Sequence, residues 1–258
     1  MREMQASWRG NKKDFRPKVG KALVILSGGE NSTVALFWAM ERFAVVSAIT
    51  FNHDQYNSMQ LKSACKIAEM LQINHEVVPL GALLSGFSPA TIPGKEKGVH
   101  AGQSSEMVCP GKKFIPGKHL AFFSIAANRA RVMGCTHLVM GAGRENFLGY
   151  PEFQADFMQS MANTLHSCLG RKIKIHAPLL HLDKAGALLF GSRFRGCIAA
   201  MAHTHACCNN SFPPCNRCPA CLLRSRGFVM AGLEDPLMRD KGRHAAHFYG
   251  GKTKYDNI

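Results

Sequence analysis

Two stretches of this chain carry residue types and spacings that could do chemistry. The first is Ser27-Gly28-Gly29-Glu30-Asn31-Ser32-Thr33. Glycines let a backbone turn tightly and bring its N–H groups against phosphate oxygens, and a helix N-terminus behind them adds donors and a favourable dipole. The hydroxyls of Ser27 and Ser32 would add further donors. A plain strand-to-helix turn is also rich in Ser and Gly, so composition alone leaves both readings open. No G-x-x-x-x-G-K-[ST] occurs here, which excludes a Walker-type loop. The second stretch is Cys215-Asn216-Arg217-Cys218-Pro219-Ala220-Cys221, two overlapping C-x-x-C units with Cys207 upstream and Cys208 beside it. A C-x-x-C turn places two thiolates about one tetrahedral edge apart, so Cys207, Cys215, Cys218 and Cys221 would complete a closed structural Zn²⁺ site. Arg217 and Arg224 would offset thiolate charge. The competing reading is a cysteine cluster without metal, reduced or disulfide-linked. His203 and His205 could substitute as ligands, although lone histidines are more often surface residues.

The loop needs elements around it. Lys21 to Leu26 is a short apolar, partly β-branched run that predicts a buried strand before the glycines. Asn31, Ser32 and Thr33 can cap the helix predicted from Val34 to Phe43. Strands follow at 45–51 and 75–80, with a helix at 58–71 between them. This β-α-β-α-β alternation predicts an α/β fold: a parallel sheet with helices on both faces. Residues 81–114 combine Gly, Pro and Ser with Lys95, Lys97, Lys112 and Lys113, and read as a mobile loop. A helix at 118–132, a strand at 136–141, a helix at 152–165 and a strand at 174–180 are expected next, then a helix after Asp183. The organisation is therefore a disordered basic arm at 1–20, a nucleotide-binding domain at 21–200, a zinc-binding segment at 201–240 and a flexible tail at 241–258.

Composition bounds the function classes. The 258 residues are 46% hydrophobic and 19% charged, which excludes a wholly disordered or fibrous chain. No run approaches the roughly 18 apolar residues of a membrane span. Lys and Arg number 32 against 17 Asp and Glu, a formal charge of +15. Such an excess suits polyanions and exceeds what one triphosphate needs, so nucleic acid is a candidate partner. Residues 1–20 lack the apolar centre of a signal peptide, which predicts a cytoplasmic chain. Clustered thiols there read as metal ligands rather than disulfides. Cys65, Cys109, Cys135, Cys168 and Cys197 read as small buried hydrophobes.

The loop Ser27–Ser32 resembles the pyrophosphatase loop of the PP-loop ATPases, S-G-G-x-D-S, which cleave ATP to AMP and pyrophosphate. Further stretches resemble one such family, QueC. They include residues 204–228 with the zinc segment, Ala231-Gly232, Asp235-Pro236, Gly149-Tyr150-Pro151, Gly141, Pro116-Gly117-Lys118-His119, Phe51-Asn52 with Gln55, and Leu182-Asp183-Lys184. The resemblance spans about 21–238. It implies a Rossmann-like PP-loop fold and an ATP-dependent carbon–nitrogen ligase that turns 7-carboxy-7-deazaguanine and ammonia into the nitrile preQ0. It further implies that Ser27, Gly28, Gly29, Glu30, Asn31, Ser32 and Thr33 hold ATP with Mg²⁺. Lys118 and Lys184 would be cationic clamps in catalysis, and Phe51, Gln55, Tyr150 and Pro151 would shape the base pocket. The family commonly forms homodimers, which implies one here.

Departures from the family pattern fall where the chemistry would be. Asn31 stands for Asp, His53-Asp54 for Tyr-Gly, Lys118-His119 for Arg-Asn, Asn146-Phe147-Leu148 for D-Y-S and Glu152-Phe153-Gln154 for D-C-R. Two alternatives therefore stand beside the ligase: a repurposed nucleotide- or nucleic-acid-binding relative with little turnover, and another PP-loop enzyme that modifies tRNA.

Overall fold

The computed structural model describes residues 18–53, 58–81, 115, 117–144 and 155–239. The expectations for the rest of the 1–20 arm, for 82–114, for the tail from 240 and for Gln55, Tyr150 and Pro151 lie outside the described residues. Among the described residues, five parallel strands form one sheet. They are β1 (Lys21–Ile25), β2 (Val45–Asn52), β3 (Asn74–Pro79), β4 (His137–Met140) and β5 (Lys174–His176), in the order β3-β2-β1-β4-β5. The order reverses between β1 and β4, and ligands of open α/β sheets bind outside the strand C-termini at such a switch point. The loop after β1 and Gly141 after β4 lie at this point.

Period-two alternation sends the two faces of β1 into different cores. Leu23 packs with Ile49 and Leu138 under α3 (Lys118–Val132) and α4 (Ala155–Leu169). Ala22, Val24 and Leu26 pack under α1 (Glu30–Arg42) and α2 (Ser58–Met70). Further along come α5 (Lys184–Ser192), α6 (Cys197–Ala200), a 3₁₀ turn at Met201–His203, α7 (Pro219–Met230) and α8 (Pro236–Arg239). No described helix is long and apolar enough to cross a membrane.

Three boundaries differ from expectation. Helix α1 begins at Glu30 with Gly29 as its N-cap, so Asn31, Ser32 and Thr33 lie inside its first turns rather than capping it. The Ser32 and Thr33 hydroxyls donate to the Gly29 carbonyl at 3.0 and 2.9 Å, which lets both be buried. Strand β5 stops at His176, because Pro178 has no N–H to continue a ladder and the chain turns through 178–181. Helix α4 runs on to Leu169. Asp183 caps α5 by accepting from the Gly186 N–H at 2.7 Å.

Candidate active site and metal centre

The turn after β1 exists because of Gly28. Its φ is +87°, in the left-handed region, and a Cβ there would lie 2.1 Å from the Gln60 carbonyl oxygen and 2.8 Å from the Ala64 nitrogen. Only glycine lets the loop lie against α2 this closely. Inside the loop a chain of hydroxyls holds the shape. The Ser27 hydroxyl donates to Ser32 Oγ at 3.0 Å, and Ser32 Oγ also accepts from the Ser27 N–H at 3.2 Å. Both hydroxyl protons are thus engaged within the loop. The first-turn N–H groups of Glu30, Asn31 and Ser32, which have no acceptor within a helix, remain the natural anion donors.

Gly141 brings β4 against this helix start. A Cβ on it would sit 2.5 Å from the Asn31 carbonyl and the Ser32 nitrogen. From the other side comes Lys184, the first residue of α5. Its ammonium donates to Asn31 Oδ1 at 2.9 Å and stands 3.4 Å from Glu30 Oε2. Its stem crosses Gly227 of α7, where a Cβ would lie 2.2 Å from Lys184 Cγ.

Glu30 faces inward, not toward the loop surface. It is 4% exposed, and Oε1 accepts from Arg224 Nη1 at 2.6 Å. Burial alone would raise its carboxyl. Lys184 and Arg224 outweigh burial and hold it at about 2. Arg224 is itself buried, and grips Asp235 through Nε and Nη2 at 2.6 and 2.7 Å. It also donates to Thr204 Oγ1 at 2.7 Å and the Met201 carbonyl at 3.0 Å. The expectation that Arg224 offsets thiolate charge is corrected: the buried Glu30 and the partly buried Asp235 offer bidentate and charge-assisted bonds that a thiolate does not.

Beside the loop a cleft is lined by Ser27, Phe51, His53, Gln60, Leu61 and Phe122. Phe51 stacks on Phe122 with ring centres 4.5 Å apart and planes 18° apart. Phe51 therefore serves the core and the cleft wall at once. Lys118 starts α3 one turn before Phe122, on the same helix face. Burial first, then Lys118 and His53, push the His119 imidazole down to about 3, so it is neutral near pH 7. Lys118 begins α3 and Lys184 begins α5, and of the two it is Lys184 that contacts the loop.

The four predicted metal ligands converge. The sulfurs of Cys207, Cys215, Cys218 and Cys221 all lie within 4.8 Å of one another. Thiolates around a zinc at Zn–S ~2.3 Å stand ~3.8 Å apart, so the set fits a tetrahedral ion. Burial opposes ionisation of Cys207, but the Cys215 N–H, the Ser211 hydroxyl and neighbouring amides outweigh it and bring the thiol down to about 6. Cys218 accepts from the Cys208 N–H at 3.3 Å and is the N-cap of α7. Asn216 takes a left-handed φ of 57° to turn the first C-x-x-C. His203 and His205 do not join the group. Cys208 is disulfide-bonded, so the expectation of reduced thiols fails at that residue, which the C-x-x-C spacing does not constrain. Cys65, Cys135 and Cys197 are buried as expected, whereas Cys168 is exposed on α4.

The cysteine segment is built onto the loop. The His205 N–H donates to the Gly28 carbonyl at 3.0 Å. Asn210 caps α2, accepting from the Met59 N–H at 2.9 Å and donating to Ser58 Oγ at 2.7 Å. The roles of Gly227, Thr204 and Asn210 had no local signal in the sequence. Arg224 had one, its place three residues after Cys221 on the predicted end of a metal loop.

The family profile and the curated relatives agree with one another. The profile of a family described as "Queuosine biosynthesis protein QueC" matches residues 21–232. A 7-cyano-7-deazaguanine synthase of Laribacter hongkongensis is 34% identical over 217 residues, covering 84% of this chain and 93% of that protein. A 7-cyano-7-deazaguanine synthase of Lysinibacillus sphaericus is 35% identical over 211 residues, covering 81% and 94%. Among solved structures, the U34-tRNA thiolase NcsA of Methanococcus maripaludis matches with TM-score 0.46 at 16% identity, covering 96% of this chain and 74% of that one.

Proposed function

The chain belongs to the QueC family, and on that premise we propose that it is a 7-cyano-7-deazaguanine synthase, an ATP-dependent carbon–nitrogen ligase. The observation that carries this reading is the family match across 21–232, with the matched loop, Gly141 and Lys184 gathered at one switch point. Its substrates are ATP with Mg²⁺, ammonia and 7-carboxy-7-deazaguanine.

The chemistry explains the parts. A carboxylate is a poor electrophile. Attack of its oxygen on the α-phosphorus of ATP releases pyrophosphate and makes AMP the leaving group. Ammonia adds to the activated carbon, loses a proton, and expels AMP to give the amide. The amide oxygen is adenylated in turn, and loss of the amide protons with AMP gives the nitrile. Each step builds negative charge on phosphate or on a tetrahedral oxygen, which fixed N–H donors and cations stabilise. The α1 N-terminus and loop hold pyrophosphate. Lys184 steadies Asn31, and Asn31 Oδ1 stands at the loop where a Mg²⁺ of the substrate would seek an oxygen. Glu30 is held by two cations and does not serve that ion. Phe51 and Phe122 offer a flat aromatic wall to the base, Gln55, Tyr150 and Pro151 are assigned to the base on the family motifs alone, and Lys118 begins the helix that carries Phe122. Zn²⁺ at Cys207, Cys215, Cys218 and Cys221 would be structural, since four protein ligands leave no open position. The four metal-capable thiols fit a reducing compartment, the cytoplasm, and the disulfide at Cys208 beside them argues the other way.

The test is direct. Purified protein of known zinc content is incubated with ATP, Mg²⁺, ammonium and 7-carboxy-7-deazaguanine, and the base is followed by mass. Nitrile formation with AMP is expected. ATP binding without any change in the base would overturn the ligase reading.

A further inference from the structure

One face of α7 carries three different tasks. Its buried residues are Cys221, Arg224, Gly227 and Phe228, a stripe at spacings of three and four. Leu222, Val229 and Met230 of the same helix are exposed. Along this stripe Cys221 belongs to the metal-capable cluster, Arg224 reaches Glu30 at 2.6 Å, and Gly227 is the notch through which Lys184 reaches Asn31. Two residues upstream of Cys207, the His205 N–H holds the Gly28 carbonyl at 3.0 Å. The cluster is thus tied to both the turn and the helix start of the loop.

We propose that Arg224 and Gly227 are positioning residues that make nucleotide affinity at the loop depend on metal occupancy of the four-cysteine cluster. The inference rests on the reading that the loop binds ATP. A metal at the four thiolates fixes the start of α7 and the 205–215 strap together. Without it, Cys218 and Cys221 lose the constraint that sets the axial position of α7. Arg224 and Gly227 then shift against Glu30 and Lys184, and the loop loses the shape that presents its amides. A metal that only stabilised its own segment would change melting temperature and leave nucleotide affinity alone.

The coupling must be reciprocal, because binding free energies are linked. Metal-loaded and chelator-stripped protein are titrated with a non-hydrolysable ATP analogue by calorimetry, while far-UV circular dichroism monitors the fold. Separately, zinc release to a chelating dye is timed with and without the analogue. We expect about tenfold weaker analogue binding after stripping, and zinc release slowed in the presence of analogue, within the usual span of coupling energies. Equal affinity of loaded and stripped protein overturns the inference and leaves the ligase reading standing. No analogue binding by loaded protein overturns the ATP-loop reading and this inference with it. If stripping unfolds the chain, zinc-loaded Arg224→Lys and Gly227→Ala decide. Arg224→Lys keeps the charge but loses the fork. Both should bind the analogue more weakly at full zinc content, and unchanged affinity in both overturns the proposal.

Discussion

Glu30 Oε1 and Arg224 Nη1 meet at 2.6 Å across 194 residues of sequence, both side chains 5% exposed or less. The pair joins the first residue of α1, behind the phosphate loop, to the helix that follows the cysteine cluster. Removing one partner of such a pair leaves an uncompensated buried charge, at about 3–5 kcal/mol. Arg224→Ala should therefore lower the urea midpoint sharply, because Asp235 is stranded as well. Replacing both Glu30 and Arg224 by apolar residues should cost less than Arg224→Ala alone, which a double-mutant cycle in urea would show.

The same carboxyl gives an acid limb to stability. Glu30 is held at about 2, below its ordinary 4.5, so folding favours its charged form. The stabilisation is complete above the unfolded value near 4.5 and is lost as pH falls from there toward 2. It amounts to about 3 kcal/mol at neutral pH. Urea titrations at pH 7, 5 and 3 should show wild type losing stability between 5 and 3 more steeply than Glu30→Gln. Equal slopes would remove Glu30 as the cause.

Gly28→Ala should damage fold and loop together. The φ of +87° costs a β-carbon about 1–2 kcal/mol. The 2.1 Å approach to the Gln60 carbonyl adds overpacking of about 1–3 kcal/mol. The contact is with backbone, so no rotamer change relieves it. Thermal melts should fall by several degrees, and analogue binding should weaken beyond what the lost folded fraction explains. Gly232→Ala has a similar φ of +63° but open space around it, and should cost only the backbone part.

How much of this was legible depended on distance along the chain. The loop could be read because an apolar β-run, two glycines and hydroxyl residues are contiguous. The cysteine ligands could be read because C-x-x-C geometry is local. Glu30 could be seen only as a carboxylate beside the loop, since its partners Lys184 and Arg224 are set by tertiary packing. Gly227 had no signal of its own: its value is the Lys184 stem that crosses it. The start of α1 departs from the usual capping preference of Asn, Ser and Thr, with Gly29 as the N-cap. Burial won instead, because Ser32 and Thr33 satisfy their hydroxyls on the Gly29 carbonyl.

Asn31→Asp tests what the family departure costs. Lys184 already stands 2.9 Å from Asn31 Oδ1, so an aspartate would gain an ion pair without moving. It would also offer Mg²⁺ a charged oxygen in place of an amide. The contact with Lys184 is already charge-assisted through its ammonium, so the aspartate adds the second charge rather than a new kind of bond. The variant should need less Mg²⁺ for half-maximal AMP release and turn over faster at limiting Mg²⁺. An unchanged Mg²⁺ dependence would place the ion elsewhere than Asn31.

Phe122 should separate the base from the nucleotide. Its ring stacks on Phe51 at the cleft wall and meets His53 at 5.2 Å, and Ser27 of the loop lines the same cleft. Phe122→Leu nearly keeps core volume, so the fold should survive with a loss of about 1 kcal/mol. Aromatic stacking on a base is worth about 1–3 kcal/mol, so KM for 7-carboxy-7-deazaguanine should rise about tenfold or more. KM for ATP should stay near the wild-type value, because the α1 N-terminus and Lys184 are untouched. Steady-state kinetics with each substrate varied in turn would read the split. A parallel rise in both constants would mean that Phe122 acts on the sheet as a whole, and that the base lies against another wall.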